Sequence, residues 1–238
     1  MCIRDSTRTA AGEHRLVGQE MGLDDFFGGL PVMMRWSGGR YLPGEPLALP
    51  QGTNLYEFTQ GPFLPGATVT TATLSLKKRL QLYESPSEKR WSSDTSYGGS
   101  SVSLDDGQTP PNRSKQLKQV GEETIKRYYL HPRMLMEDLD KDGSEDLLVV
   151  RNTDAAKGLF RRSRLFTSGR VACLTWQPLG PVAKWETPKV SGHITYIAIG
   201  DSDGDGRREL IYTVLAGEKE GLDRRQSYIV THVLDTSQ

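Results

Sequence analysis

The stretch DLDKDGSEDLLVV, residues 138–150, decides how this chain is read. Three aspartates alternate with other residues, a glycine follows, then an acid, then an unbroken apolar run. The pattern returns 63 residues later as DSDGDGRREL, beginning at Asp201. Both copies fit D-x-D-x-D-G-x-x-[DE]-L. Each lies between apolar stretches, RMLM and LLVV around the first, ITYIAI and LIYTVL around the second. A strand–loop–strand unit therefore occurs twice, and internal repetition of this kind marks an architecture of stacked units.

The loop chemistry suits a hard cation. Calcium takes about six to eight oxygen ligands, chiefly carboxylates and carbonyls. Alternating aspartates on a tightly curving loop turn their carboxylates toward one point, and the glycine supplies the dihedrals of the turn. The expected ligands of the first loop are Asp138, Asp140, Asp142, the carbonyl of Ser144, and Asp146. Those of the second are Asp201, Asp203, Asp205, the carbonyl of Arg207, and Glu209. An all-oxygen set argues against zinc and for calcium, with magnesium behind it. Two ions are expected, one per loop. An EF-hand needs a bidentate Glu at position 12 and a helix after it. Position 12 is Val149 in one loop and Tyr212 in the other, and β-branched sequence follows both. An acidic turn that holds no ion would crowd four carboxylates whose charges repel.

Two degenerate copies extend the repeat. GPFLPGATVT (61–70) keeps its glycine, Gly66, in the position of Gly143 and Gly206, but no carboxylate. TRTAAGEHRL (7–16) keeps only Gly12 and Leu16. FFGGLPVMMRW (26–36) parallels LFTSGRVACLTW (165–176), each ending in tryptophan. The remaining apolar segments are short, rich in Val, Ile, Leu, Thr and Tyr, and bounded by Gly, Pro, Ser and Asn, as strands are. Residues 112–130 are the best helical candidate, but Gly121 interrupts a pattern poor in apolar spacing. That segment is read as a solvated connection with one helical turn; it overlaps a long loop at 91–127, whose Ser/Gly/Asp/Pro-rich part, 91–116, is read as mobile.

With 238 residues, 36% of them hydrophobic and 25% charged, the composition is globular. Thirty basic and thirty acidic residues cancel, which leaves no electrostatic footprint for nucleic acid. No apolar run approaches the ~18 residues of a membrane helix. Cys173, inside VACLTW, reads as a core residue. The opening MCIRDSTRTAAG fits no later pattern and is read as a foreign start, with the native chain expected to extend further at its N-terminus.

On these residues the units resemble FG-GAP repeats, also called VCBS-type repeats, which build the blades of integrin-α-like β-propellers. The resemblance is strong at 138–147 and 201–210 and weaker at 61–70 and 7–16. It implies an all-β fold, a partial β-propeller of about three to four antiparallel blades. In that family the D-x-D-x-D-G loop joins the first two strands of a blade and binds calcium. The expected organisation is a non-native or disordered start at 1–12, a partial blade at 13–53 and a degenerate blade at 54–127. Blades with calcium loops follow at 128–192 and 193–238. The resemblance further implies a non-catalytic scaffold or interaction module of a bacterial cell envelope. It would lie outside the cytoplasm and engage a protein or carbohydrate partner. The FG-GAP signature itself is not legible here.

The alternative is a hydrolase or lyase with a site at the propeller axis. None of His14, His131, His193 and His232 lies in a catalytic motif, and the serines of YGGSS (97–101) have no evident base. Trp36, Trp91, Trp176 and Trp185 occupy similar places in the units and are expected to pack between blades.

Overall fold

The computed structural model describes residues 2–8, 14–22, 26–105, 127–154, 166–216 and 226–234. Among them there is no helix, and eighteen strands form consecutive antiparallel sheets. The first sheet is β1 (Cys2–Arg8), β2 (His14–Glu20), β3 (Gly28–Ser37) and β4 (Arg40–Pro46). The second is β5 (Phe58–Gly61), β6 (Thr70–Leu74), β7 (Arg79–Ser85) and β8 (Glu88–Ser96). A small ribbon pairs β9 (Ser103–Asp105) with β10 (Arg127–Tyr129). The third sheet runs β11 (Leu135–Glu137), β12 (Asp146–Asp154), β13 (Phe166–Gln177) and β14 (Gly180–Glu186), with the short β15 (Val190–Ser191) beside β13. The fourth is β16 (His193–Gly200), β17 (Glu209–Ala216) and β18 (Gln226–Val233). In the four main sheets strands pair in chain order, the up-and-down pattern that short turns permit. Between β3 and β4 the turn is two glycines, Gly38 and Gly39, at φ +59° and +79°. Both central positions of this hairpin need positive φ, which glycine supplies without strain.

The period of two along each strand explains how the sheets stack. On β12, Leu147 and Val149 face the second sheet, where they join Phe63, Ala72, Leu74, Leu80 and Leu82. Leu148 and Val150 face the fourth sheet and join Ile194, Ile197, Leu210, Tyr212 and Val214. β13 divides likewise, Ala172 and Leu174 to one side, Val171 and Cys173 to the other. The third sheet is thus apolar on both faces, which is why LLVV is an unbroken run rather than an alternating one. Each leucine, isoleucine, valine and phenylalanine among them contributes about 1.5–3 kcal/mol by burial, the alanines less. Asn152 adds a polar tie: its amide donates to Gly99 O and Ile194 O, and its Oδ1 accepts the Ile194 N–H at 2.9 Å.

The first two sheets meet differently. β1 contacts β5, and Gln19 bridges onward by accepting the Leu55 N–H at 2.9 Å and donating to Gly29 O at 2.8 Å. On β7, Leu80 and Leu82 turn into the core with the third sheet, so Arg79, Gln81 and Tyr83 turn the other way, into a cleft beside the first sheet.

Several expectations change. The stretch 1–12, expected to be a non-native or disordered start, contains β1, which pairs with β2, so residues 2–8 are not disordered. The segment 91–127, expected to be a long loop with a mobile part at 91–116, begins inside β8 and continues as a buried passage, Tyr97–Ser100. There Gly98 and Gly99 adopt φ +68° and +84°, and Gly98 donates its N–H to Val150 O at 2.6 Å. A Cβ on Gly98 would lie 2.6 Å from His131 Nδ1, so the glycine pair lets the backbone thread between sheets. Most of the helical candidate at 112–130 lies outside the described residues, and its end forms β10. Trp91, Trp176 and Trp185 pack on the inter-sheet cores. Trp36 does not: it is 61% exposed, with an edge contact to Tyr41.

Candidate metal centres

Both acidic loops connect the first and second strands of their sheets, β11 to β12 and β16 to β17. Residues 62–69 hold the same place between β5 and β6, and Gly66 shares the positive φ (+77°) of Gly143 (+88°) and Gly206 (+84°). The copy at 7–16 spans the end of β1 and the start of β2, and Gly12 lies outside the described residues.

In the second loop Asp201, Asp203, Asp205 and Glu209 each offer a carboxylate oxygen within 4.8 Å of the others. Asp201 shapes the turn by accepting the N–H groups of Gly204 and Gly206 at 2.7 and 2.9 Å. Asp203 accepts the N–H of Asp205, and Asp205 that of Arg207. Glu209 is buried at the start of β17. Its Oε2 accepts the Ser202 N–H at 2.6 Å, while its buried Oε1 has no hydrogen-bond partner among the described residues. The guanidinium of Arg207 holds the Asp205 carboxyl below the usual carboxylate range. Both groups are at the surface, where such a pair is weak.

In the first loop Asp138, Asp140 and Asp142 converge within the same 4.8 Å limit, without Asp146. Asp138 accepts the N–H groups of Asp142 and Gly143 at 3.1 and 3.0 Å, and Asp142 that of Ser144 at 2.8 Å. Asp146 is 2% exposed, and burial pushes its carboxyl up despite the neighbouring Lys184. Lys184, from β14, pairs with Asp140 and lies 3.6 Å from Asp146. Its hydrogen bond holds the Asp140 carboxyl down. Sequence reasoning missed Lys184 because it enters from a strand 44 residues away from Asp140.

These donor sets fit a hard cation. They contain only oxygen, and each loop places a buried carboxylate oxygen without a hydrogen-bond partner at its closing acid, Asp146 Oδ2 and Glu209 Oε1. Such oxygens are costly unless something positive meets them; Lys184 Nζ already lies 3.6 Å from Asp146 Oδ2, so Glu209 Oε1 is the stronger indication. The two loops are also linked: Arg208, in the second, pairs with Glu137, the residue before Asp138.

Two further polar clusters lie away from the loops. Glu57 is buried and accepts the Tyr128 hydroxyl, which in turn accepts from Asn54. Burial pushes the Glu57 carboxyl up, and His131 Nε2 lies 4.0 Å from it. Ser101 of YGGSS, for which no base was evident, donates to His193 Nε2 with both its N–H (3.3 Å) and its hydroxyl (3.1 Å). His193 is fully buried against Phe166. With the backbone N–H also on Nε2, this contact anchors the buried passage rather than freeing a base. Cys173 is buried in the core and burial pushes its thiol far up, so it carries no nucleophile.

No family model matches the chain, and no curated protein matches it. No helix among the described residues is long and apolar enough to cross a membrane.

Proposed function

We propose that the chain is a calcium-binding β-propeller module of the FG-GAP/VCBS type, non-catalytic, that presents a surface to a protein or carbohydrate partner outside the cytoplasm. One observation carries the reading. The D-x-D-x-D-G sequence recurs at the same connection of two successive sheets, with converging carboxylates and a positive-φ glycine each time. The succession of four antiparallel sheets, the second, third and fourth packed face to face, supports a propeller-like arrangement. Calcium would lock each connection and stabilise the folded state by an amount that rises with the logarithm of its concentration above the dissociation constant. Isothermal titration should find two sites, and EGTA should lower the melting temperature. Asp140→Ala combined with Asp203→Ala should abolish both responses. Titration showing no calcium uptake sinks this reading.

A hydrolase or lyase is favoured by one observation: Glu57 and Tyr128, backed by His131, sit at a concave surface remote from the loops. That reading requires a turnover that Glu57→Gln abolishes while calcium binding persists.

A further inference from the structure

We propose that the cleft between the first two sheets is a binding site for a small organic acid whose carboxylate is carried on a ring with an apolar face. The cleft has a volume of about 940 Å³, within the size range of small-molecule pockets. It is independent of the calcium loops, which belong to the third and fourth sheets.

Three features select the ligand. The first is a cation with no carboxylate partner among the described residues. Arg79 lines the cleft and forms no ion pair with any of them. A carboxylate is the best partner for a guanidinium, whose fork it can meet with two parallel hydrogen bonds. Lys77 lines the cleft as well, at an exposed position.

The second is the scarcity of negative charge. Glu57 is the one carboxylate among the described lining residues. It is engaged by Tyr128, and burial favours its neutral form. Among the described lining residues the balance is therefore positive, which favours an anion.

The third is an aromatic wall. Phe26, Phe27 and Tyr128 line the cleft and brace one another, with Phe27 edge-on to Tyr128 at 5.0 Å and Phe26 tilted at 5.7 Å. Aromatic faces bind flat apolar surfaces, whether the C–H face of a sugar or another ring. The strand pattern shows why this cleft differs from the other inter-sheet spaces. The partners of β7's core leucines, Arg79, Gln81 and Tyr83, are polar where the third and fourth sheets meet through leucine, isoleucine and valine.

The test uses the full chain saturated with calcium. Glucuronate and benzoate, with their neutral counterparts glucose and benzyl alcohol, are titrated by calorimetry and by NMR. At least one acid should bind saturably, about tenfold or more tighter than its neutral counterpart. Glucuronate alone identifies a saccharide acid, benzoate alone an aromatic acid, and both identify the shared chemistry. Arg79→Gln should weaken binding about tenfold or more, with the calcium titration unchanged. Should Arg79→Gln lower the melting temperature, a salt titration of the wild-type chain decides. Affinity should fall several-fold between ~0.05 and ~0.5 M salt. No saturable binding of either acid, equal binding of the neutral counterparts, or salt-independent binding overturns the proposal.

Discussion

The two acidic loops share a pattern and differ in how their charge is met. In the second loop position 4 is Gly204, at φ +79°; in the first it is Lys141, a side-chain-bearing residue held at φ +61°. The second loop answers its aspartates from within, through the exposed Arg207 on Asp205. The first is answered from another strand, by Lys184, which reaches both Asp140 and the buried Asp146. An exposed arginine swings away at little cost, whereas a half-buried lysine between two carboxylates is a resident counter-ion that an entering cation must displace. Motif identity therefore does not equal site equivalence: the second loop is expected to bind calcium more tightly than the first.

The largest effect should come from the residue that shapes each turn. Asp201→Ala removes a carboxylate ligand and the acceptor of two backbone N–H groups. It should weaken calcium binding at the second loop by about 100-fold, since two charge-assisted contacts are worth roughly 3 kcal/mol or more. Titration should leave only the weaker site, and loss of the weaker site instead would reverse the ranking. Lys184→Met should then raise the first loop's affinity about tenfold, on the order of one charged contact, and leave the second unchanged. If the two affinities keep their separation in Lys184→Met, the resident counter-ion is not what distinguishes them.

A pH experiment in EGTA separates the two carboxylates that Lys184 touches. Burial raises Asp146 above its ordinary 3.8, so its contribution is full below that pH and is lost as pH rises through the folded value. Lys184 lowers Asp140, so that contribution is present above 3.8 and is lost as pH falls through the folded value. Asp146→Asn should abolish the loss on the rising side and stabilise the chelated protein near neutrality by about 1 kcal/mol, the lower end for a buried unsatisfied group. Denaturant melts across the pH range read this directly. The smallest change is Lys141→Gly, which relieves the left-handed backbone and makes the first loop resemble the second. A gain of about 0.5 kcal/mol is expected, because the flexibility of glycine in the unfolded chain offsets part of the relief.

Much of this was legible in the sequence because it is local. Asp138 and Asp201 cap their own turns within five residues, and the strand after each loop announces itself through LLVV and LIYTVL. The all-β class follows from such runs and from the absence of helical spacing. What stayed hidden depends on distant partners. Lys184 reaches Asp140 across 44 residues, Tyr128 reaches Glu57 across 71, and Ser101 reaches His193 across 92. YGGSS was misread because glycine and serine signal a loop whether it floats or threads a core. The alternation Arg79, Leu80, Gln81, Leu82, Tyr83 marks a strand with a polar face. Nothing local says that this face looks onto another sheet instead of water.

The Arg208–Glu137 pair makes the two loops thermodynamically conversant. It joins the second loop to the residue before the first loop's leading aspartate. Any ordering of one loop that tightens this pair is returned in equal measure to the other, because linkage is reciprocal. A pair of this kind, near the surface and partly exposed, carries about 1 kcal/mol. Its ceiling is therefore roughly a fivefold mutual change in calcium affinity, which high salt should erase first.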